Sequence, residues 1–299
     1  MQFRLAHFSD VHLGPLSISD AFHDLRLKRL IGGISWLRRR RIHLPKIANA
    51  ALADITAAQP DHIAFTGDLV NIASRAEFLR GRDWLETAGA PDFLSFTPGN
   101  HDAYVPVDHE HGLALWQPWY LGDSSKPNQF PFLRLRRNIA LIGLSTAQPQ
   151  KIHSAQGRLG EAQRNALRIM LQDLRLKGFC RVVMIHHPPA PGLAMPQRAL
   201  TDAAELVEIL KTEGAELVIH GHNHRAMNNS LQGETKIIPL IGVASASASG
   251  EHGETAQWNL YSIARNMGQW QITLEPHRWN PSLQAFKAGD SLLLNQDAP

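Results

Sequence analysis

The chain has 299 residues, 43% apolar and 19% charged, a composition that excludes a disordered or fibrous protein and suffices for one large domain or two small ones. Its net charge of +3 conceals a local excess: residues 26–41 carry seven basic side chains (Arg26, Lys28, Arg29, Arg38, Arg39, Arg40 and Arg41) and no acid, so the other 23 basic residues face 27 acidic ones. No apolar run reaches the ~20 residues of a spanning helix, Asp10 comes too early for a signal peptide, and the only cysteine, Cys180, closes no internal disulfide, which together predict a cytoplasmic protein.

Alternating apolar residues from Phe3 to Ser9 predict a first strand, with Asp10 and His12 just beyond its end. Ala-rich residues 46–58 predict a helix after Pro45, and residues 62–66 a second strand ending at Gly67-Asp68. A helix over 74–88 follows, opened by a capping box of Ser74 and Glu77. The strand at 93–97 ends at Gly99-Asn100-His101-Asp102, and residues 103–128, aromatic and proline-bearing, read as an irregular lid. Strands at 132–136 and 139–145 flank an Arg-Asn turn, and an amphipathic helix at 161–177 carries Leu167, Met170, Leu171 and Leu174 on one face. The strand at 181–185 ends at His186, a helix spans 202–212, and the strand at 217–219 ends at His220-Gly221-His222. Further strands are expected at 237–243, 258–263 and 270–274, with residues 280–299 as a peripheral tail. Early strand–helix alternation and late extra strands predict one α/β domain over 1–279. Its expected form is a four-layer α/β/β/α sandwich of two mixed sheets with flanking helices.

Five polar clusters occur in order, most of them directly after an apolar run: Asp10-Val11-His12, Gly67-Asp68, Gly99-Asn100-His101-Asp102, His186-His187-Pro188 and Gly221-His222-Asn223-His224. Strand ends are where open α/β sheets place their sites. These residue types suit phosphate-ester cleavage by two cations, which lower the pKa of water and offset charge on the phosphoryl oxygens. Asp10 and His12 can reach one ion, and Asp68 is a natural bridge between two. Asn100 offers a neutral amide oxygen, and His222 and His224 flank Asn223 so that both rings can face one cavity. His101 stands beside the ions as an acid, with Asp102 placed to hold its ring. His109 and His111 read as a solvated loop, His7 as structural, and His220 equally as packing or as support.

The order Asp-x-His, Gly-Asp, Gly-Asn-His-Asp, His-x-Pro, Gly-His-x-His resembles that of the calcineurin-like metallophosphoesterases over roughly residues 3–226. The chain is particularly similar to a bacterial branch of cyclic-nucleotide and glycerophosphodiester phosphodiesterases, some of whose members are proposed to act as phospholipases of the C type. The resemblance implies a phosphodiesterase that uses a metal-bound hydroxide and two transition-metal ions (Mn, Fe or Zn). By it, Asp10, His12, Asp68 and His224 hold the first ion, Asp68 bridges, and Asn100, His186 and His222 complete the second. His101 then serves the leaving group, with Asp102 behind it. The His-x-Pro pattern selects His186 over His187. Gly-Asn-His-Asp in place of Gly-Asn-Arg-Asp separates the chain from the UDP-diacylglucosamine hydrolases.

Residues 15–45 form an insertion after the first motif. Leu27, Leu30, Ile31, Ile34 and Leu37 make an apolar helical stripe beside Trp36, and Gly32-Gly33 predicts a bent helix or two short ones. One reading is a basic amphipathic helix on an anionic membrane, a peripheral contact at the inner face through residues 26–41 that favours a phospholipid head group as substrate. The other is a cap over the site with its charged face solvated, which suits a soluble cyclic-nucleotide phosphodiesterase. A metal-binding interaction module with vestigial activity is the alternative of another class, opposed by the full ligand set. Nucleic acid is not an expected partner, because no base-stacking pattern accompanies the arginines, and the sequence does not set the oligomeric state.

Overall fold

A computed structural model describes residues 2–16, 27–123, 129–251 and 253–294; Arg26 and the side chains of Arg38 and Arg39, counted in the basic stretch, lie outside that set. β1 (Phe3–Phe8) is parallel to β2 (His62–Phe65), and β2 to β3 (Leu94–Phe96). α1 (Leu27–Arg39) and α2 (Pro45–Ala57) lie between β1 and β2 in the chain, and α3 (Arg75–Ala88) between β2 and β3. After the single turn of α4 (Gln117–Tyr120) comes a second sheet of β4 (Phe132–Arg136), β5 (Ile139–Gly143), β6 (Cys180–Met184), β7 (Leu217–His220), β8 (Met227–Gln232) and β9 (Ile237–Gly242). Its order is β4-β5-β6-β7-β9-β8, with the central four strands parallel. α5 (Glu161–Leu176) and α6 (Ala203–Glu213) lie in its crossovers. β10 (Gln257–Asn266), β11 (Gln269–Asn280), β12 (Ala285–Ala288) and β13 (Leu292–Leu293) return to the first sheet, ordered β12-β11-β10-β1-β2-β3 with β13 on β11.

The strand period of two divides β1 between two cores. Phe3 and Leu5 face the layer between the sheets, with Leu141, Val182 and Ile219 of the second sheet, while Ala6 and Phe8 face outward beneath α2 and α3. Leu167, Leu171 and Leu174 of α5, with Leu206 and Leu210 of α6, cover the far side of the second sheet. The result is the expected α/β/β/α sandwich. The capping box is also present: the Ser74 hydroxyl accepts from Glu77 N at 3.2 Å while Glu77 accepts from Ser74 N at 2.9 Å. No helix among the described residues is long and apolar enough to cross a membrane.

α1 is one continuous helix, not two short ones. Gly32 marks a close approach instead of a break: a Cβ there would lie 2.8 Å from both Ile72 Cγ2 and Tyr104 Oη. The orientation of α1 also runs against the cap reading, in which the charged face is solvated. Leu27, Ile31, Ile34 and Leu37 are 62%, 37%, 54% and 53% exposed, so the apolar stripe looks outward. Lys28 points inward, its Nζ donating to Tyr104 O at 2.7 Å and Gln150 O at 2.8 Å. Buried Arg29 donates to Ile72 O and Ala73 O at 3.3 and 2.5 Å.

The described part of the expected lid is anchored in the core by its aromatic residues. Trp116, Trp119 and Tyr120 are buried against α3 and β3, and the two indoles donate to Phe78 O at 2.9 Å and Gly89 O at 2.8 Å. Residues 124–128 lie outside the described set. The polar segment Met227–Gln232, not foreseen as a strand, pairs antiparallel with β9 at the sheet edge. Residues 280–294, expected as a tail, supply β12 and β13 along β11, with Phe286 packed 5.4 Å from Trp279; residues 295–299 are outside the description.

Candidate metal centre

The polar clusters follow strand ends of both sheets. Asp10 and His12 come after β1, Asp68 after β2, Asn100 and His101 after β3, His186 after β6, and His222 and His224 after β7. Asp10, His12, Asp68, His222 and His224 all have φ between 46° and 71°, a left-handed backbone that costs a non-glycine residue of order 1–3 kcal/mol. Bonds between the turns hold it in place: Asp10 N donates to Gly67 O at 2.9 Å, His12 N to Asp68 O at 3.0 Å, and His222 N to Asp10 Oδ2 at 3.0 Å. The last contact requires a glycine at 221, where a Cβ would fall 2.4 Å from Asp10 Oδ2.

Among the residues of the sequence clusters, two groups of ligand atoms form, each with its members within 4.8 Å of one another: Asp10, His12, Asp68 and His224, and Asp68, His186 and His222. Asp68 belongs to both. In the first group His224 Nε2 lies 3.1 Å from His12 Nε2 and 3.2 Å from Asp10 Oδ1. In the second, His186 Nε2 lies 3.3 Å from Asp68 Oδ2, 3.2 Å from Asn100 Oδ1 and 3.3 Å from His222 Nδ1. His187 stays apart, with Nδ1 2.7 Å from the Thr146 hydroxyl and Nε2 3.0 Å from Ala155 O, and burial pushes it down to about 3.

The outer ring nitrogens are held by carbonyls, with His186 Nδ1 2.6 Å from Thr66 O and His222 Nε2 2.8 Å from Arg198 O. Such outer bonds fix the tautomer and turn the inner nitrogens toward the site. Burial would lower His186, but the Asp68 and Asp10 carboxylates raise it to about 9. A proton there occupies a place where negative charge converges, the place a cation would take. Burial also leaves His12 and His222 as neutral rings, well below the usual histidine range. Against the upward push of burial, His186, His101 and His12 keep the Asp68 carboxyl well below the ordinary value. Asp10 Oδ1 is buried and faces His224 Nε2 at 3.2 Å without a well-formed hydrogen bond among the described residues. Carboxylates, imidazoles and an amide around such an atom fit transition-metal ions.

His101 sits beside the first group, edge-on to His12 with ring centres 4.8 Å apart and stacked on Tyr104 at 5.5 Å. Asp102 does not hold its ring; His101 Nδ1 instead meets Asn71 O at 2.5 Å. The Asp102 carboxylate accepts four backbone N–H bonds, from Asp68 and Gly99 at 2.8 Å, Leu69 at 2.9 Å and Val70 at 3.2 Å. It is a clamp on the loop that presents Asp68, and burial with the nearby Asp68 charge pushes it up to about 7. Glu77 takes the backbone N–H groups of Asn71 and Ile72, which fixes the segment carrying the Asn71 carbonyl. His7 Nε2 lies 2.9 Å from Thr66 Oγ1 between the sheets, His220 is fully buried behind the site, and His109 and His111 are exposed.

Several participants were not singled out from sequence. His43 places a ring nitrogen within 4.8 Å of ligand nitrogens on both His12 and His224, and its Nδ1 lies 3.1 Å from Ser245 Oγ and 2.9 Å from Ser247 Oγ. The serines follow β9, so the strand-end rule was the available signal. Tyr104 and Lys28, whose Nζ sits 4.3 Å from the Tyr104 ring centre, carried no comparable mark.

A probable cyclic nucleotide phosphodiesterase of Synechococcus sp. (strain ATCC 27144) is 29% identical over 184 residues, 60% of this chain and 64% of that protein. A second, from Synechococcus sp. (strain WH7803), is 26% identical over 185 residues, 58% of this chain and 63% of that protein. The matches thus span less than two thirds of either relative. Among solved structures, a dimetal phosphatase from Danio rerio superposes with a TM-score of 0.64 at 13% identity over 98% of both chains. A purple acid phosphatase from yellow lupin does so with a TM-score of 0.58 at 12% identity, over 99% of this chain and 54% of that one. These two share the fold. The family model of the calcineurin-like phosphoesterases matches residues 3–226, most of the chain and all of the ligand clusters, and the chain belongs to that family.

Proposed function

We propose that this protein is a dinuclear metal-dependent phosphodiesterase. The observation that carries the reading is the sharing of Asp68 by two ligand groups with His101 beside them. Asp10, His12, Asp68 and His224 would hold one ion, and Asp68, Asn100, His186 and His222 the other. Two such ions acidify a water and offset charge on the phosphoryl oxygens. The chain's own part is to fix the ligand geometry through Asp102 and the strand-end turns, and to supply a proton. With Nδ1 of His101 engaged by Asn71 O, Nε2 is the nitrogen that can protonate the leaving-group oxygen as the P–O bond breaks.

A cyclic nucleotide is the favoured substrate, because the two cyanobacterial relatives are probable cyclic nucleotide phosphodiesterases. A phospholipid head group is the second reading, favoured by the outward apolar stripe of α1 beside exposed Arg40 and Arg41. Lys28 and Arg29 weaken it, since both are turned inward and are lost to a membrane contact. The test is turnover of bis(p-nitrophenyl) phosphate, cyclic AMP and a glycerophosphodiester by the Mn²⁺-loaded chain, with Asp68→Asn as control. No turnover of any ester, or equal turnover by Asp68→Asn, sinks the proposal. Flotation with anionic liposomes at low salt decides the second reading, which fails if the chain does not float.

A further inference from the structure

We infer that helix α1 of the insertion is the mount of the proton donor: Lys28, Arg29 and Gly32 are positioning residues that hold His101 through Tyr104 and the Asn71–Ala73 segment. The inference rests on the reading of His101 given above. The bond from His101 Nδ1 to Asn71 O, at 2.5 Å, fixes one atom of the imidazole but leaves the ring able to pivot about that contact. The Tyr104 face supplies the restraint on its plane. The two rings are stacked with 15° between them and their centres 5.5 Å apart, while His12 stands edge-on to His101 at 4.8 Å.

Both supports of the His101 ring are tied to α1. Lys28 Nζ donates to Tyr104 O at 2.7 Å and lies 4.3 Å from the centre of the Tyr104 ring. Its second bond, to Gln150 O at 2.8 Å, anchors the same ammonium on the segment that follows β5. Buried Arg29 donates to Ile72 O at 3.3 Å and to Ala73 O at 2.5 Å, the two residues directly after the Asn71 carbonyl. Gly32 fits between the supports: a Cβ there would fall 2.8 Å from Ile72 Cγ2 and 2.8 Å from Tyr104 Oη. Positions 28, 29 and 32 share one side of a helix, opposite the exposed stripe of Leu27, Ile31 and Ile34. One helix face thus reaches both contacts that aim His101, and a displacement of a catalytic group by about 1 Å can cost on the order of 10²-fold in rate.

The test compares ethyl phenyl phosphate with ethyl p-nitrophenyl phosphate on the Mn²⁺-loaded full chain, because phenolate is the poorer leaving group and draws more on the acid. In Gly32→Ala, whose added methyl must push Ile72 or Tyr104 aside, and in Tyr104→Leu, the phenyl ester should slow by ~10–100-fold and the p-nitrophenyl ester far less. Alanine is a better helix former than glycine, so the first loss does not come from a weaker α1. Tyr104→Phe keeps the ring face and should keep the wild-type ratio of the two rates. In a His101→Ala background Gly32→Ala should not change the ratio further, since there is no longer an acid to aim. In the metal-free protein the His101 ring-proton resonances, shifted by the Tyr104 ring, should move in Gly32→Ala and Tyr104→Leu and stay in place in Tyr104→Phe. Melting temperatures of the metal-free variants serve as the folding control. Equal slowing of both esters, the same change of ratio with and without His101, or unmoved His101 resonances would overturn the inference and leave the dinuclear phosphodiesterase intact. If His101→Ala itself slows both esters equally, the proton-donor reading falls and the inference with it; no turnover of either ester by the wild type sinks the phosphodiesterase reading as well. If Gly32→Ala and Tyr104→Leu do not fold, Lys28→Met, which removes the bond to Tyr104 O, decides by the same ratio.

Discussion

Replacing Asp102 by asparagine distinguishes a clamp on the Asp68 loop from a holder of the His101 ring. Four backbone N–H groups converge on the Asp102 carboxylate, at 2.8, 2.8, 2.9 and 3.2 Å. Asparagine keeps one acceptor oxygen and turns an amide NH₂ toward the other pair of donors. Two buried N–H groups then lose their acceptor and face another donor. A hydrogen bond to a charged group contributes about 1.5–3 kcal/mol, so the loss is about 3–6 kcal/mol, a large share of the ~5–15 kcal/mol of a typical domain. The assay is urea unfolding of the metal-free protein at pH 8, above the value of about 7 to which Asp102 is pushed, with the midpoint compared at constant m. Activity should fall alike for esters with good and poor leaving groups, because the His101 ring is positioned by Asn71 O. A stability loss under about 1 kcal/mol, or a rate loss confined to poor leaving groups, would refute this reasoning.

His101→Ala should leave metal content unchanged but slow alkyl esters by ~10²–10⁴-fold, with far less effect on p-nitrophenyl esters, because only the former need a proton on the departing oxygen; equal losses on both would deny it that part. Gly221→Ala should lower metal occupancy, read by elemental analysis, since the added methyl falls 2.4 Å from Asp10 Oδ2 and 1.9 Å from Ser9 Oγ. The metal-free protein should lose stability as pH falls from about 6.5 toward 4. His7, His187 and His220 are held at about 3, 3 and 4 by burial, so the unfolded chain binds more protons throughout that window. Asp102, raised to about 7, and Glu77, also raised by burial, act in the opposite sense there, as does His186 near the top of the window. His12, His62 and His222, lowered by burial, add to the loss. Melting temperatures at pH 7, 6 and 5 check the sign.

The ligand clusters were legible because each follows a short apolar strand, and a turn after a strand leaves a local pattern. The layers were legible for the same reason, through the periodicity of β1, α5 and the strands between them. Other features depend on what lies opposite, which no local pattern records. α1 has a clear apolar stripe, yet only the positions of Ile72, Tyr104 and Gln150 determine that its polar side faces inward. Asp102 adjoins His101 in the chain, which suggested a partnership, but the tight turn sends its carboxylate to the Asp68 loop. His43 is a single histidine in a basic segment, and its setting depends on Ser245 and Ser247, some two hundred residues later. β8 is too polar to announce itself, because as an edge strand it half-buries one side and exposes the other.

The first sheet contributes Asp10, His12, Asp68 and Asn100, the second His186, His222 and His224, with up to 212 residues of chain between contacting partners. A bound ion would therefore act as a crosslink between the halves of the sandwich as well as a reagent. Binding only to the folded state adds about 2.7 kcal/mol when free metal exceeds its dissociation constant a hundredfold. Metal starvation would then shorten the lifetime of the protein against proteases, and not only silence it.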